Sequence, residues 1–381
     1  MSTLIQREPV MNRHKTITAS RLRVHASSCA AAAAELARLS ADWPGMRDVF
    51  VSLVGCSADA DLLAWQPPLN VMVEVNADDI ARPETIALIG EFVNRQIPLC
   101  LDDYAQGMSL PLRVNFRFLL ADAASQPTLT HAPASPLAKS LPDGDAFDEA
   151  IGHGYAGATG WFFLKPQGGL AGLGSELNPG HARIIELLNL VRNNADIKDV
   201  ELALKRDVTL AFKLLRYINS AGFGMGGEVG SFRHAVSLMG YDKLNRWLAL
   251  LLVNASHHQS APALMQTAVI RGRFMERVGA SLLSTGEGDN LFIAGAFSVL
   301  DILLGTRFDV ILRHLQLPAA IADALLKGEG EIAALLGLAR TCETGTAEML
   351  RQHLAALGLT SGQCNSALIE ALAFADKLQF G

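Results

Sequence analysis

The stretch NVMVEVNADDIARPETIALIGEFVNRQIPLCLDD, residues 70–103, decides the fold of the first half of the chain. NVMVEV (70–75) and IPLCLDD (97–103) are short runs rich in Val, Ile and Leu, and read as strands. Between them PETIALIGEFVNR (83–95) spaces its apolar residues about 3.6 apart, and Pro83 suits a helical first turn. Strand, helix, strand implies parallel strands joined by a crossover helix. The same texture extends on both sides. SCAAAAAELARL (28–39) reads as a helix, and VFVSLV (49–54) and LRVNFRFLL (112–120) read as strands. Residues 16–165 therefore read as α/β.

From residue 178 the strand signal vanishes. Leu- and Ala-rich helical patterns follow to the C-terminus, punctuated by Gly, Pro and Asn. The junction KPQGGLAGLGSELNPGH (165–181) has four glycines in seven residues and reads as a linker. A phosphate loop would need a Gly-Lys-Ser/Thr continuation, which is missing. SQPTLTHAPASP (125–136) reads as an exposed loop, and no internal repeat is visible. The expected organisation is an α/β domain over 1–166, a Gly-rich linker over 167–180 and a helical domain over 181–381.

With 381 residues, half of them apolar, the chain can build two cores. Net charge is −6 and neither half is basic, which argues against a nucleic-acid or anionic-lipid partner. Cys29, Cys56, Cys100, Cys342 and Cys364 are scattered, with no C-x-x-C pair, as fits reduced thiols. MSTLIQREPVMNRHK is too polar for a signal peptide. The longest apolar runs, about 247–253 and 292–300, fall short of the roughly 18 residues of a membrane helix. The expected setting is the cytoplasm, without a membrane.

KRDVTLAFKLLRYINSAGFGMGGEVGSFRHAVSLMGYDKLNRWLAL (205–250) resembles the HDOD domain, a helical relative of the HD phosphohydrolases that lacks their metal ligands. The matching features include Asp207, Asn219–Ser220–Ala221 and Gly240; GAFSVLD (295–301), with Ser298 and Asp301, is similar to a downstream element. On chemistry alone, Asp207 caps the helix VTLAFKLLRYI and Asn219–Ser220 ends it. The chain has no His-Asp dipeptide, and Ser298–Val299 stands where HD relatives place one. His257 and His258 are neighbours that diverge by about 100° on a helix. His234 and His314 stand alone. No metal is expected in the helical half.

Beside that neighbour, the α/β half resembles a shortened EAL domain, a TIM-barrel-like phosphodiesterase for cyclic di-GMP. The resemblance rests on VMVEVNADDI (71–80), IPLCLDDYAQGMSL (97–110) and LAKSLPDGDAFDEAIGHGYAGATGWFFLKP (137–166). It implies a metal pair held by carboxylates and an amide, with a lysine nearby. On that alignment the family's first Glu is Arg21 and its Asn is Ser52. Glu74 and Asp102–Asp103 remain. The lysine strand maps to VNFRFLL, where Arg117 is the nearest cation. The later Glu falls near Lys139–Ser140, and the closing Gln is Thr159. A cation at a ligand position repels Mg²⁺. Glu74 and Asp102–Asp103 have two readings, as remnants of a metal or nucleotide site or as strand-end caps. Arg21, Arg23 and Arg117 could each hold a phosphate.

The resemblance implies a degenerate EAL domain fused to an HDOD domain, in a non-catalytic signalling scaffold with no metal and no cofactor. Its partners would be sensor kinases or cyclic di-GMP enzymes. Two alternatives are a cyclic di-GMP sensor without turnover and a residual phosphodiesterase. At roughly 150 residues, against about 250 for a usual barrel, the first domain is expected to be open or to lack elements around 120–140.

Overall fold

The computed structural model describes residues 2–108, 110, 114–129, 132–165, 173–205, 232–254, 259–283 and 288–378. The chain divides into two compact units, Met1–Gln167 with Gly337–Asp376, and Gly168–Leu336 with Lys377–Gly381.

The first unit is built on eight strands: β1 (Leu4–Asn12), β2 (Ile17–His25), β3 (Asp48–Val54), β4 (Val71–Asn76), β5 (Leu99–Asp102), β6 (Phe116–Asp122), β7 (Ser135–Lys139) and β8 (Gly157–Thr159). They close into a barrel in chain order. β1 runs antiparallel to β2 and β8, and all other pairs are parallel. The expectation of an open barrel is overturned, whereas the expected shortage of elements around 120–140 holds for helices, since among the described residues none lies between β6 and β7. β6 continues to Asp122, and the loop over 125–136 gives its last two residues to β7. The barrel is short because its outer ring is thin. Among the described residues, α-helices follow only β2 (α1, Cys29–Arg38), β4 (α2, Pro83–Asn94) and β7 (α3, Gly144–Gly152) within this part of the chain. A usual barrel carries a helix after every strand.

Local chemistry starts these helices. Ser28 Oγ accepts the Ala31 N–H at the start of α1, Asp143 does the same for Ala146 at α3, and Pro83 opens α2. The barrel interior follows from the two-residue period of a strand. Val10, Ala19, Phe50, Met72, Cys100, Leu120 and Leu137, one from each of seven strands, form a buried apolar floor.

β1 is hidden in the sequence because LIQREPVMN carries Gln, Arg, Glu and Pro. Some of its polar groups are answered from the far end of the chain. Gln6 Nε2 donates to the carbonyls of Thr341 and Gly345, each at 2.8 Å. Asn365 Oδ1 accepts the Ile5 N–H at 3.0 Å, while its Nδ2 donates to Thr3 O at 3.0 Å and Glu35 at 2.6 Å. Arg47 Nη1 pairs with Asp376 at 2.6 Å. Residues 337–376 thus pack with the barrel, whereas the sequence reading assigned all of 181–381 to one helical domain. The segment satisfies backbone and side-chain groups that the missing outer helices leave uncovered.

The second unit is helical, from Pro179–Arg192 through Ile197–Lys205, Phe232–Asn254, Ala261–Gly279 and Gly288–Phe297 to Ala319–Leu326. Asp207, Asn219, Ser220, His257, His258 and the glycines 168–172 lie outside the described residues. The described part of the junction does not hang free. Gly174 N donates to Gly305 O at 2.7 Å, Arg307 N donates to Gly174 O at 3.1 Å, and a helix already starts at Pro179.

The seam of the barrel needs a residue without a side chain. A Cβ on Gly157 would meet Met11 O at 2.1 Å, where β8 closes against β1. Gly157→Ala should lower stability by about 1–3 kcal/mol or more. Thermal and urea unfolding of the purified variant measures this, and an unchanged midpoint would refute the close approach.

Candidate functional site

Two residues beyond the apolar floor, towards the C-terminal ends of the parallel strands, the same strand faces turn ionic. Ala19 gives way to Arg21, Phe50 to Ser52, Met72 to Glu74, Cys100 to Asp102 and Leu137 to Lys139. On antiparallel β1 the equivalent step from Val10 leads to Glu8, which pairs with Arg21 in register. Sequence reading missed Glu8 because β1 itself went unread; its parity with Val10 was the available signal.

Arg21 sits at the centre and is 6% exposed. Its Nε donates to both Glu74 oxygens, at 2.8 and 3.0 Å, and Nη2 donates to Glu74 Oε2 at 2.7 Å. The same Nη2 reaches Asp102 Oδ2 at 2.8 Å, and Nη1 reaches Glu8 Oε2 at 3.1 Å. Ser52 Oγ is 3.5 Å from Nη2. Lys139 Nζ bridges two carboxylates, Asp102 Oδ1 at 2.6 Å and Asp103 Oδ1. Asp103 also accepts from Asn76 Nδ2 at 3.0 Å. Asp103 and Ser140 both follow a site residue at positive φ, 58° and 60°, turning the chain sharply at the strand ends.

The charges support one another at Arg21, Asp102 and Lys139, whereas at Glu74 burial outweighs Arg21 and holds the carboxyl above its ordinary value. Burial opposes the charge on Arg21, but Glu74, Asp102 and Glu8 outweigh it and hold the guanidinium well above its ordinary range. Burial likewise opposes ionisation of Asp102, and Arg21 and Lys139 overcome it, keeping the carboxyl below its ordinary value. Lys139 is raised against burial by Asp102 and Asp103. Farther out on β2, burial, Arg23 and Arg351 push His25 down to about 4.

Above this layer lies a cavity of about 650 Å³, lined among others by Arg21, Arg23, Asp102, Lys139, Thr159 and Trp161. Of the sequence-nominated positions, Arg21, Ser52, Asp102, Asp103, Lys139 and Thr159 line this mouth, and Glu74, bonded to Arg21, lines a smaller cavity that shares Ser52 and Asp102 with it. Arg117 does not. It pairs with Asp48, the first residue of β3, at the opposite end of the barrel. In the helical unit Ser298 Oγ accepts from Arg271 Nη1 at 2.9 Å and donates to Gly295 O at 2.7 Å. Asp301 lies in the first turn of the short helix Leu300–Leu304.

Among the described residues, no group of three or more His, Cys, Asp or Glu is placed to hold a metal ion. The space between the mouth carboxylates is filled by Arg21 Nη2 and Lys139 Nζ. A divalent ion does not fit this arrangement, because its ligands already surround protein cations. No described helix is long and apolar enough to cross a membrane.

Comparison with known proteins now adds to the geometry. The family model for the HDOD domain matches residues 178–300, and this part of the chain is an HDOD domain. The chain is 28% identical over 236 residues to the cyclic di-GMP phosphodiesterase CdgJ of Vibrio cholerae, covering 62% of this chain and 54% of that protein. It is 25% identical over 212 residues to the uncharacterized protein YuxH of Bacillus subtilis, covering 55% and 51%. The chain therefore spans about half the length of the curated relatives it matches. No solved structure matches. The expectation that the chain is not an enzyme does not stand, because a relative matched over most of the chain is a named phosphodiesterase.

Removing one member of a buried ion network leaves its partners charged and unpaired, at a cost of about 3–5 kcal/mol. Arg21→Ala strands Glu74 and Asp102 in this way, and its unfolding free energy should fall by that amount. A loss below about 1 kcal/mol, typical of an exposed pair, would show that Arg21 is not the centre of the layer.

Proposed function

We propose that the chain works in cyclic di-GMP-linked signalling, that its barrel is a shortened EAL domain, and that the barrel mouth is where cyclic di-GMP binds. One observation carries the reading. Six of the seven positions nominated by the EAL resemblance, scattered from Arg21 to Thr159, line a single mouth cavity, and the seventh, Glu74, is bonded to Arg21 and lines a smaller cavity that shares Ser52 and Asp102 with it. The likeness to CdgJ supports the choice of nucleotide.

The cavity offers suitable groups. Arg23 has only a 3.5 Å contact to Glu8 and a partly exposed side chain, so its guanidinium can turn to a phosphate. Trp161 and Thr159 line the other side and can meet a base or a sugar hydroxyl. Arg21 and Lys139 are engaged with carboxylates and serve to shape the floor. The HDOD domain would pass on the state of the barrel by contact with signalling proteins such as sensor kinases or cyclic di-GMP enzymes.

A second reading, hydrolysis of the nucleotide at the same mouth, is favoured by the name of the relative. Glu74, Asp102 and Asp103 are the groups that would act, and they would first have to leave Arg21 and Lys139.

Titrating cyclic di-GMP into the full chain by calorimetry tests the main reading. A roughly micromolar Kd is expected, weakened about tenfold, or by about 1.4 kcal/mol, in Arg23→Ala. A flat titration contradicts it. Analysis of the same mixtures for linear dinucleotide, with Mg²⁺ or Mn²⁺ present, decides between binding alone and turnover.

A further inference from the structure

We propose that Arg21 and Lys139 are the resident cations of the barrel mouth, filling the spaces between its carboxylates that divalent ions would otherwise take, so that the mouth is a metal site closed by protein charge. The inference rests on the ion geometry alone and stands whether or not cyclic di-GMP binds.

The charge balance argues for it. Glu8, Glu74, Asp102 and Asp103 face Arg21, Arg23 and Lys139, four carboxylates against three cations, with each cation in contact with at least one carboxylate. A divalent ion placed between these carboxylates would stand against Arg21 Nη2 and Lys139 Nζ in poorly screened surroundings. Without Arg21 and Lys139, four carboxylates would face Arg23 alone. Such a set of hard oxygen ligands is what Mn²⁺ or Mg²⁺ requires.

The bonding pattern points the same way. One atom, Nη2 of Arg21, lies 2.7 Å from Glu74 and 2.8 Å from Asp102, between carboxylates on β4 and β5. Nζ of Lys139 lies between Asp102 and Asp103. Asp102 is shared by both cations through different oxygens, Oδ2 to Arg21 and Oδ1 to Lys139. A carboxylate bridging two cationic centres is the arrangement found where two metals share one ligand. Both cations lie two residues beyond the apolar floor on their strands, so the barrel sets their position and no mobile loop does.

The test is Mn²⁺ uptake by the full chain, followed by loss of the free-ion signal in electron paramagnetic resonance. Wild type and Asp102→Asn should take up the same small amount, because the mouth contributes nothing. Arg21→Gln/Lys139→Gln should take up at least one further ion and gain thermal stability when Mn²⁺ is added; both gains should vanish when Asp102→Asn is included. Lys139→Gln alone keeps Arg21–Glu74 intact and serves if the double variant does not fold. It should also take up more ion than wild type. Uptake by wild type that Asp102→Asn abolishes overturns the proposal. So does a folded variant lacking these cations that binds no more Mn²⁺ than wild type.

Discussion

A guanidinium enclosed by a barrel must be paired, and the pairing of Arg21 organises everything above the apolar floor. Its three nitrogens reach Glu74, Asp102 and Glu8, carried by β4, β5 and β1. An unpaired charge there would be far costlier than at a surface. The strands that carry the partners are therefore held at fixed heights relative to β2. Registers such as Glu8 opposite Arg21 and Asn76 opposite Asp102 are consistent with that constraint. Lys139 extends the network to β7 through the second oxygen of Asp102.

The barrel has little outer scaffold of its own. With three helices on its flanks among the described residues, it relies on residues 337–376 for cover. Gln6, Asn365 and the Arg47–Asp376 pair supply the polar contacts of that cover. In the helical unit another buried arginine, Arg271, donates to Ser298 Oγ.

Much of this was legible in the sequence. The apolar runs at 49–54, 70–75 and 97–103 gave strands within one or two residues of β3, β4 and β5, because Val, Ile and Leu dominate them. The positions of Arg21, Ser52, Glu74, Asp102, Asp103 and Lys139 were nominated by resemblance and meet at one mouth. What escaped was set by distant contacts. β1 reads as polar because its polar groups find partners only in the fold: the Gln6 side chain and the Ile5 N–H more than 330 positions away, Arg7 and Glu8 on neighbouring β2. β8 is three residues long and shows no pattern of its own. The attachment of 337–376 to the barrel has no local signature, since a helix that covers a barrel and one that covers a bundle share the same apolar spacing. Convergence of Arg21 on three carboxylates could not be foreseen from the chain alone, as Glu8 meets it across the β1–β2 pair while Glu74 on β4 and Asp102 on β5 reach it across the inside of the barrel.

The central claim is that protein cations occupy the heart of the mouth. A crystal of the full chain grown with millimolar Mn²⁺ and measured at the manganese edge tests it most directly. The account predicts an anomalous map with no peak between Glu74 and Asp102, and the Arg21 guanidinium in clear density there. A manganese peak at that point, with Arg21 turned away, would contradict it.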